Sequence, residues 1–316
     1  MSELTHKSSW DRLVFADWLL IAVPGLIWGA SFLFIAEGLK AIGPSGVAFL
    51  RLFIGFATLA LFPAARKPVE RSAWPAIALV GVLWFAFPLS MFPLAEQRVS
   101  SALTGMLNAA VPLFTAIVAT AVAGRVPERR VIVGLAVGLL GAGLIAWPTM
   151  NEGHSSLVGV LLILAAVVSY GFALNFARPL QQKYGALPVI LRAQAVAVLL
   201  TAPFGVPDVL AARWTPVPVL SLLMLGAFGT GVAFVSLATA AGRVGATRAS
   251  SAAFLIPPVS LLLGLLVRGE YVPRLSIVGS GVCVAGAWLM RCSQIGPGRD
   301  IVPSQSSTLV VRKAES

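Results

Sequence analysis

The amino-acid sequence predicts an all-α integral membrane protein with ten transmembrane helices arranged as two inverted five-helix repeats. Three observations lead to this prediction: an apolar composition, a hydrophobic pattern that occurs twice, and an uneven distribution of basic residues. Of the 316 residues, 58% are hydrophobic and only 11% are charged, and the mean hydropathy is +0.91. A soluble domain carries about 25% charged residues, so this composition is typical of a membrane protein.

Stretches without a charged residue define most of the spans. A hydrocarbon core about 30 Å thick requires about 20 apolar residues of helix. Spans must be helical because lipid offers no hydrogen-bond partner to the backbone. Three segments complete the ten spans: 275–290 is shorter, and 45–62 and 187–207 are each interrupted by one arginine. The charge-free runs of at least 19 residues are Trp18 to Ala36, Ser72 to Ala95, Val99 to Gly124, Val131 to Asn151, Ser155 to Ala177, Trp214 to Gly242 and Ala249 to Val267.

The hydrophobic pattern recurs after about 141 residues, with five spans in each half. An odd number of spans forces the second half to enter the bilayer from the opposite side, which predicts inverted repeats. We therefore expect an N-terminal segment 1–17, a first repeat 18–148, a second repeat 155–291 and a disordered cytoplasmic tail 292–316. The recurring positions are Gly29 and Gly171, Arg51 and Arg192, Glu128 and Glu270, Gly138 and Gly279, and Trp147 and Trp288.

The net charge of +11 could indicate a nucleic-acid partner, but the positions of the charges argue against one. With the N-terminus inside, the predicted cytoplasmic segments hold 16 Lys and Arg residues and the outer loops hold five. This asymmetry follows the positive-inside rule and orients the chain in the bilayer. We expect a multi-pass protein of the inner (plasma) membrane with both termini in the cytoplasm.

The order and repetition of short motifs resemble the EamA domain of the drug/metabolite transporter superfamily over residues 18–291. The resemblance implies a secondary transporter that exports amino acids or related metabolites, with a cavity enclosed by spans 1, 3, 4, 6, 8 and 9. The residues that carry it are Trp28 to Phe32, Pro44, Ala48 to Arg51, Leu94-Ala95, Pro112, Glu128-Arg129 and Gly138 to Gly143, then Tyr170-Gly171, Pro188, Leu191-Arg192, Gly229 to Gly231, Pro257-Pro258, Gly269-Glu270 and Gly279 to Gly286.

A polar stripe on span 4 is the strongest candidate for a transport site. Pro112 cannot donate a backbone hydrogen bond, which would free the carbonyl of Asn108 for other partners. Broken helices at corresponding places in two repeats point to a binding site. Small and amide residues also collect at helix–helix interfaces, so both readings stay open. On helical spacing, the stripe contains Ser101, Thr104, Gly105, Asn108, Pro112 and Thr115.

Aromatic and polar residues on other spans extend the candidate cavity. Trp28 and Ser31 share a face of span 1, although a tryptophan at this depth also suits packing within the bundle. Tyr170 and Asn175 are the polar or amphipathic residues of span 6, and the family resemblance adds Phe92 and Thr230 on spans 3 and 8. The cavity candidates are therefore Trp28, Ser31, Phe92, Thr104, Asn108, Tyr170, Asn175 and Thr230.

Four repeated charges are interpreted as structural. Arg51 and Arg192 lie near the start of their spans, where snorkelling or bonding to loop carbonyls is easy, and this interpretation is preferred over substrate contact. Glu128 and Glu270 follow spans 4 and 9, and Glu128 suits pairing with local arginines or capping of the next helix. No carboxylate lies at mid-span, so the sequence shows no proton-coupling site.

Other functional classes fit the sequence less well. The two histidines lie outside the spans, and no metal-ligand cluster or paired intramembrane aspartates indicate an enzyme, so no metal or cofactor is expected. A channel or a lipid flippase built on the same inverted repeat is the alternative. The expected partners are a small-molecule substrate and the lipid bilayer, without nucleic acid.

Overall fold

The described residues of the computed structural model are 15–124, 127–150, 154–245 and 249–293, and they form helices without a β-strand. Most of the predicted N-terminal segment 1–17 and nearly all of the predicted tail 292–316 lie outside these residues. The uninterrupted helices are α1 (Phe15–Gly38), α2 (Pro44–Ala60), α5 (Arg129–Met150), α6 (His154–Tyr184), α7 (Ala186–Leu210) and α10 (Arg274–Ser293).

The other four helices, α3, α4, α8 and α9, change helix type along their length. A π segment interrupts α3 and α8, and a 3₁₀ segment interrupts α4 and opens α9. Their parts are, for α3, Trp74–Val80, Gly81–Ala86 and Phe87–Glu96; for α4, Ser101–Leu107, Asn108–Ala110 and Val111–Ala123; for α8, Pro216–Leu223, Met224–Val232 and Ala233–Val244; and for α9, Ser250–Leu255 and Ile256–Arg268.

Eight helices in the described part of the chain are long and apolar enough to cross a membrane. The other two are shorter apolar helices, α2 (Pro44–Ala60) and the apolar part of α10 (Arg274–Met290). The protein is therefore a multi-pass membrane protein, and the total of ten spans remains a prediction.

The irregular segments occur at matching places in the two halves. The π segments of α3 and α8 begin at Gly81 and Met224, and the 3₁₀ segments of α4 and α9 lie just before Pro112 and Pro257. Because proline has no backbone N–H, it cannot complete the α-helical ladder at its own position, and the preceding turn tightens. The sequence repeat is thus accompanied by a repeat of local backbone geometry.

The last helices of the two halves, α5 and α10, pack against each other antiparallel and make a reciprocal contact. A Cβ added at Gly279 would lie 2.7 Å from the backbone nitrogen of Ile145, and one added at Gly286 would lie 2.5 Å from Cα of Gly138. Gly138 corresponds to Gly279, and Ile145 corresponds to Gly286, at the same offset of 141 residues. A contact in which each position meets the counterpart of the other is the pattern of a twofold axis.

The first helix of each half packs against the other half through a glycine. A Cβ added at Gly29 of α1 would lie 3.1 Å from the carbonyl oxygen of Ile256 in α9. One added at Gly171 of α6 would lie 2.9 Å from the carbonyl oxygen of Phe114 in α4. Both pairs of positions are related by the offset of 142 residues, so the halves exchange equivalent contacts and interlock.

The bundle has a terminal end, where α1 begins, and a distal end, where α1 ends. At the terminal end, where α1 begins, Asp17 forms an ion pair of 3.0 Å with Arg243 near the end of α8. At the distal end, where α1 ends, Glu37 forms an ion pair of 2.8 Å with Arg268 at the end of α9. The first turn of α4 lies at the distal end beside Glu270, so α4 ends and α5 begins at the terminal end. Because α10 is antiparallel to α5, α10 ends at the terminal end.

Candidate functional site

A central cavity of about 240 Å³ lies between the two halves. Its wall is built from α1, α2, α3 and α4 of the first half and α6, α8 and α9 of the second half. The lining is mostly aromatic and aliphatic, with a few polar side chains. The residues are Trp28, Ser31, Phe32, Arg51, Trp84, Phe85, Leu89, Phe92, Asn108, Val111, Tyr170, Leu174, Thr230, Phe234, Leu237, Ser250, Ala252, Ala253 and Ile256.

Two clusters of aromatic rings form much of the wall. In the first cluster, Phe234 lies 5.4 Å from Trp28 and 5.8 Å from Trp84 between ring centroids, and both pairs meet edge to face. In the second, Phe92 lies 5.6 Å from Phe32 and 5.9 Å from Tyr170. Such ring pairs hold their geometry and contribute about 0.5–1.5 kcal/mol each. The cavity therefore has a preformed apolar surface.

The cavity is shaped differently towards the two ends of the bundle. Towards the terminal end, its lining extends to Leu237 and to Ser250, which is an exposed residue. Towards the distal end, the cluster of Phe32, Phe92 and Tyr170 forms its wall. The lining therefore reaches an exposed residue on the terminal side and has aromatic rings on the distal side.

The π segment of α8 positions two of the polar features. The indole nitrogen of Trp28 donates to the carbonyl oxygen of Gly229 at 2.9 Å, which orients the ring in the cavity wall. Thr230 is fully buried, its hydroxyl donates to the carbonyl oxygen of Leu225, and its own carbonyl accepts a 2.8 Å hydrogen bond from Gln194. A π segment exposes backbone groups that an α-helix would use internally, and π segments are frequent at functional sites.

Arg51 lies in this cavity rather than at a helix end. Its side chain is 7% exposed, and its Nε donates to Oγ1 of Thr230 at 3.0 Å. Arg51 therefore bonds to the π segment of α8, and not to a loop carbonyl as predicted. Its counterpart Arg192 follows the expected pattern and donates to the carbonyl oxygens of Pro188 and Lys67 at 3.0 and 2.9 Å.

Asn108 lines the cavity at the start of the 3₁₀ segment of α4. The carbonyl that Pro112 was expected to free is not free, because it accepts the backbone N–H of Val111 in the 3₁₀ turn. The unpartnered atom is instead in the side chain: Oδ1 is buried without a hydrogen-bond partner. A buried acceptor without a partner costs about 1–3 kcal/mol, which a ligand donor could recover.

Six of the eight predicted cavity residues lie in the cavity wall, and two do not. Thr104 is fully buried and donates to the carbonyl oxygen of Ser100, one turn earlier in α4. Asn175 donates to the carbonyl oxygens of Thr115 and Gly171 at 3.0 and 2.8 Å, which joins α6 to α4. Both residues stabilise the helices that surround the cavity.

Several lining residues escaped the sequence analysis. Trp84 and Phe234 belong to the first aromatic cluster and Phe85 packs against both, yet in the sequence they are ordinary apolar residues of long hydrophobic runs. Trp84 and Phe85 lie in the π segment of α3, and Phe234 lies two residues after that of α8, and the sequence offers no clear signal for either segment. Phe32 follows Ser31 directly and could have been included with the span 1 motif.

The distal end of the bundle is held together by Glu270. Its Oε1 accepts hydrogen bonds from the backbone N–H and the hydroxyl of Ser101 at 3.1 and 2.8 Å, and its Oε2 accepts one from the N–H of Ala102 at 2.9 Å. Arg268 donates through Nε to the same carboxylate at 2.8 Å and through Nη1 to Glu37. Glu270 thus caps the first turn of α4 and joins it to the end of α9.

The repeated glutamates therefore differ in environment. Glu128, at the matching place before α5, has an exposed side chain, and its backbone carbonyl accepts the N–H groups of Val131 and Ile132. Glu96, the last residue of α3, has both carboxylate oxygens buried without a hydrogen-bond partner, and it interacts electrostatically with Glu270, Arg268 and Arg51. The charges at the distal end break the symmetry between the two halves.

Comparison with known proteins identifies the fold family. The model of the EamA-like transporter family matches residues 17–147 and 157–292, which together cover nearly all of the chain. This chain belongs to the EamA-like transporter family. The resemblance to the EamA domain of the drug/metabolite transporter superfamily is confirmed, and as a family member the protein is a membrane transporter.

Several relatives of this EamA-like transporter are named as transporters, exporters or efflux pumps. A "Probable terminal-alkyne amino-acid exporter" of Streptantibioticus cattleyicolor is 27% identical over 92% of this chain and 97% of its own length. The "Uncharacterized inner membrane transporter YedA" of Escherichia coli is 28% identical over 88% of this chain and 91% of its own length. A "Probable amino-acid metabolite efflux pump" of Salmonella typhimurium is 23% identical over 86% of this chain and 94% of its own length.

The same fold occurs among solved structures. One crystal structure matches 86% of this chain and 95% of its own chain with a TM-score of 0.58. The sequence identity is only 18%, so this match supports the fold alone. It agrees with the assignment to the family made from the sequence.

Proposed function

We propose that this EamA-like transporter is a secondary transporter that moves small metabolites, such as amino acids, out of the cell by alternating access. The observation that carries the proposal is the central cavity. Both halves contribute to its wall, its lining reaches the exposed Ser250 at the terminal end, and aromatic rings lie on its distal side. A site between two repeats is where rocking of one half against the other exposes a substrate to each side in turn.

The arrangement of the halves as inverted five-helix repeats is supported by the reciprocal packing of α5 and α10. These helices are antiparallel, so a twofold axis through their contact runs across the helices rather than along them. In a bilayer, such an axis lies in the membrane plane, which is the relation of inverted repeats. The equivalent contacts of Gly29 and Gly171 with the opposite half support the same arrangement.

The proposed orientation has the terminal end in the cytoplasm. It rests on the excess of basic residues in the segments that this orientation places inside. The proposed location is the inner membrane of a bacterium, in line with the name of the Escherichia coli relative. Export, and amino acids as cargo, are proposed in line with the names of two other relatives.

The size of the cavity favours a small metabolite over a lipid. Its volume of about 240 Å³ lies just below the roughly 300–1,000 Å³ of pockets for drug-sized ligands. Two acyl chains would not fit in this volume. We therefore prefer a metabolite transporter to a flippase, and saturable exchange distinguishes a transporter from a channel.

Counterflow in proteoliposomes tests the proposal. Vesicles that contain the purified protein are loaded with an unlabelled mixture of amino acids, and the uptake of labelled L-leucine and L-phenylalanine is followed. We expect transient accumulation that saturates with concentration and is absent from empty vesicles. Uptake that rises linearly with concentration, or lipid scrambling without amino-acid exchange, would contradict the proposal.

Two asparagines provide a matched pair of variants for this assay. Asn108→Leu is expected to reduce exchange at least tenfold while stability stays within about 1 kcal/mol, because Oδ1 of Asn108 has no protein partner to lose. Asn175→Leu is expected to lower stability by about 1–3 kcal/mol, because two backbone carbonyls lose their donor. The exchange of the folded Asn175 variant is expected to keep the apparent affinity of the wild type. The reverse pattern would place the substrate elsewhere.

A further inference from the structure

The cavity contains a buried positive charge that the protein itself leaves without a counter-ion. Arg51 is 7% exposed and lies seven residues after the first residue of α2, inside the apolar part of the bundle. Within the described residues, no carboxylate approaches its guanidinium to ion-pair distance. Arg51 lines the cavity, and its side-chain hydrogen bond within the described part of the chain runs from Nε to Oγ1 of Thr230, so the two Nη groups make none there. A charge in this position is costly unless an anion or water compensates it.

Arg192 shows what a structural arginine does at the matching place of the second half. Its Nη1 and Nη2 atoms donate to the carbonyl oxygens of Pro188 and Lys67, so protein groups satisfy it. In Arg51, Nε donates to the side chain of Thr230, and the two Nη groups remain available to a ligand. A guanidinium has five N–H donors and binds a carboxylate with two parallel hydrogen bonds.

The acidic residue Glu96 makes no hydrogen bond to the guanidinium of Arg51. Glu96 interacts with Arg51 electrostatically, as does the hydroxyl group of Tyr170. Both carboxylate oxygens of Glu96, however, are buried without any hydrogen-bond partner. Glu96 is therefore not hydrogen-bonded to Arg51, and the Nη groups of the arginine remain open to a ligand.

We propose that Arg51 is an anion subsite and that the transported molecule is a small carboxylate with an apolar body, a class that includes the apolar amino acids. The carboxylate binds the Nη groups of Arg51, and the apolar body contacts the ring cluster of Trp28, Trp84 and Phe234. The inference rests on the proposed function and names the cargo of that site. Oδ1 of Asn108 adds an acceptor that suits the ammonium group of an amino acid.

Three compounds of one shape test this subsite in the wild-type protein. L-Phenylalanine carries both charged groups, 3-phenylpropionate lacks the ammonium group, and phenethylamine lacks the carboxylate. Binding is measured by thermal stabilisation of the purified protein in detergent and by competition in counterflow. We expect both carboxylates to bind at least about tenfold more tightly than phenethylamine, the contribution of a charge-assisted hydrogen-bonded pair. Inorganic phosphate, an anion without an apolar body, should not compete.

Variants then assign the selectivity to Arg51. Arg51→Gln is expected to reduce the preference for the carboxylates to less than about threefold, and Arg192→Gln is expected to leave it unchanged. If Arg51→Gln does not fold, Thr230→Val replaces it: this change removes the hydrogen bond that orients Nε and should weaken the two carboxylates without affecting phenethylamine.

The outcomes separate this proposal from the proposed function. Phenethylamine binding as tightly as the carboxylates, together with saturable exchange, would overturn the anion subsite and leave the transporter in place. An unchanged carboxylate preference in folded Arg51→Gln would overturn the role of Arg51. If none of the three compounds binds, the cargo class is wrong. If, in addition, no amino acid is exchanged in counterflow, the proposed function fails as well.

Discussion

Replacement of Glu270 by alanine is expected to lower the stability of the purified protein by about 2–4 kcal/mol. Its carboxylate accepts hydrogen bonds from Ser101, Ala102 and Arg268, and these donors are largely buried. A lost helix cap costs about 0.5–2 kcal/mol, and the loss of one partner of a buried ion pair costs about 3–5 kcal/mol. Arg268 is 26% exposed and keeps its contact with Glu37, so the expected loss is smaller than the sum of these two costs.

The matched control for this variant is Glu128→Ala. Glu128 occupies the equivalent position of the first half but has an exposed side chain, so the expected change is within about 0.5 kcal/mol. Thermal unfolding in detergent compares the two variants directly. Equal effects of the two changes would show that Glu270 does not hold the distal end together. Glu270→Gln keeps one acceptor oxygen and should fall between the wild type and Glu270→Ala.

A single methyl group at Gly141 is expected to destabilise the protein by about 3 kcal/mol. The Cβ of an alanine would lie 2.7 Å from Cα of Cys283 and 2.7 Å from the carbonyl oxygen of Gly279, both in the backbone of α10. Backbone atoms cannot move aside like the end of a side chain, so α5 and α10 must separate. Overpacking of this kind costs about 1–3 kcal/mol, and the contact joins the two halves.

Gly143 is the control on the same helix. It is exposed, and a Cβ at this position meets no atom within 4 Å. Because alanine favours a helix over glycine by up to about 1 kcal/mol, Gly143→Ala is expected to be neutral or slightly stabilising. Gly281 provides the same control on α10. Comparable losses for Gly141→Ala and Gly143→Ala in thermal unfolding would contradict the close packing of α5 and α10.

The sequence was sufficient for those parts of the structure that depend on local chemistry. Hydrophobic runs locate the long helices because lipid requires apolar side chains along a complete span. Proline locates the 3₁₀ segments of α4 and α9 because a missing N–H acts on the turn that precedes it. Asn108 was predicted from its place on the polar stripe of span 4, although the carbonyl that Pro112 was expected to free accepts the N–H of Val111. The family resemblance supplied Phe92 and Thr230, which residue chemistry alone did not indicate.

Other features depend on tertiary contacts and were not accessible from the sequence. Arg51 and Arg192 occupy equivalent positions, and the helix of each packs against a π segment of the other half. Arg51 nevertheless bonds to Thr230 in the cavity wall, whereas Arg192 bonds to the carbonyl oxygens of Pro188 and Lys67. Glu128 and Glu270 also look alike in the sequence, yet Glu270 meets the first turn of α4 and Glu128 is exposed. A repeat in sequence predicts equivalent backbones, whereas an asymmetric substrate site needs side-chain environments that differ.

The accessibility of a single cysteine at Ser31 tests most directly whether one cavity opens alternately to each side. Ser31 lines the cavity, is 2% exposed, and donates its hydroxyl within its own helix, so Ser31→Cys is a mild change. Cys283 and Cys292 are replaced so that no other thiol reacts. Ser276→Cys, which is fully buried in α10 outside the cavity wall, is the unreactive control.

A membrane-impermeant thiol reagent is applied to sealed vesicles of either orientation. At rest, we expect labelling of Ser31→Cys only from the terminal end. During amino-acid exchange, or in the double variant that combines Ser31→Cys with Glu270→Ala, we expect labelling from the distal end as well. Bound substrate should slow labelling from either end. Equal labelling from both sides at rest would indicate a continuous pore, and labelling that never occurs from the distal end during exchange would contradict alternating access through this cavity.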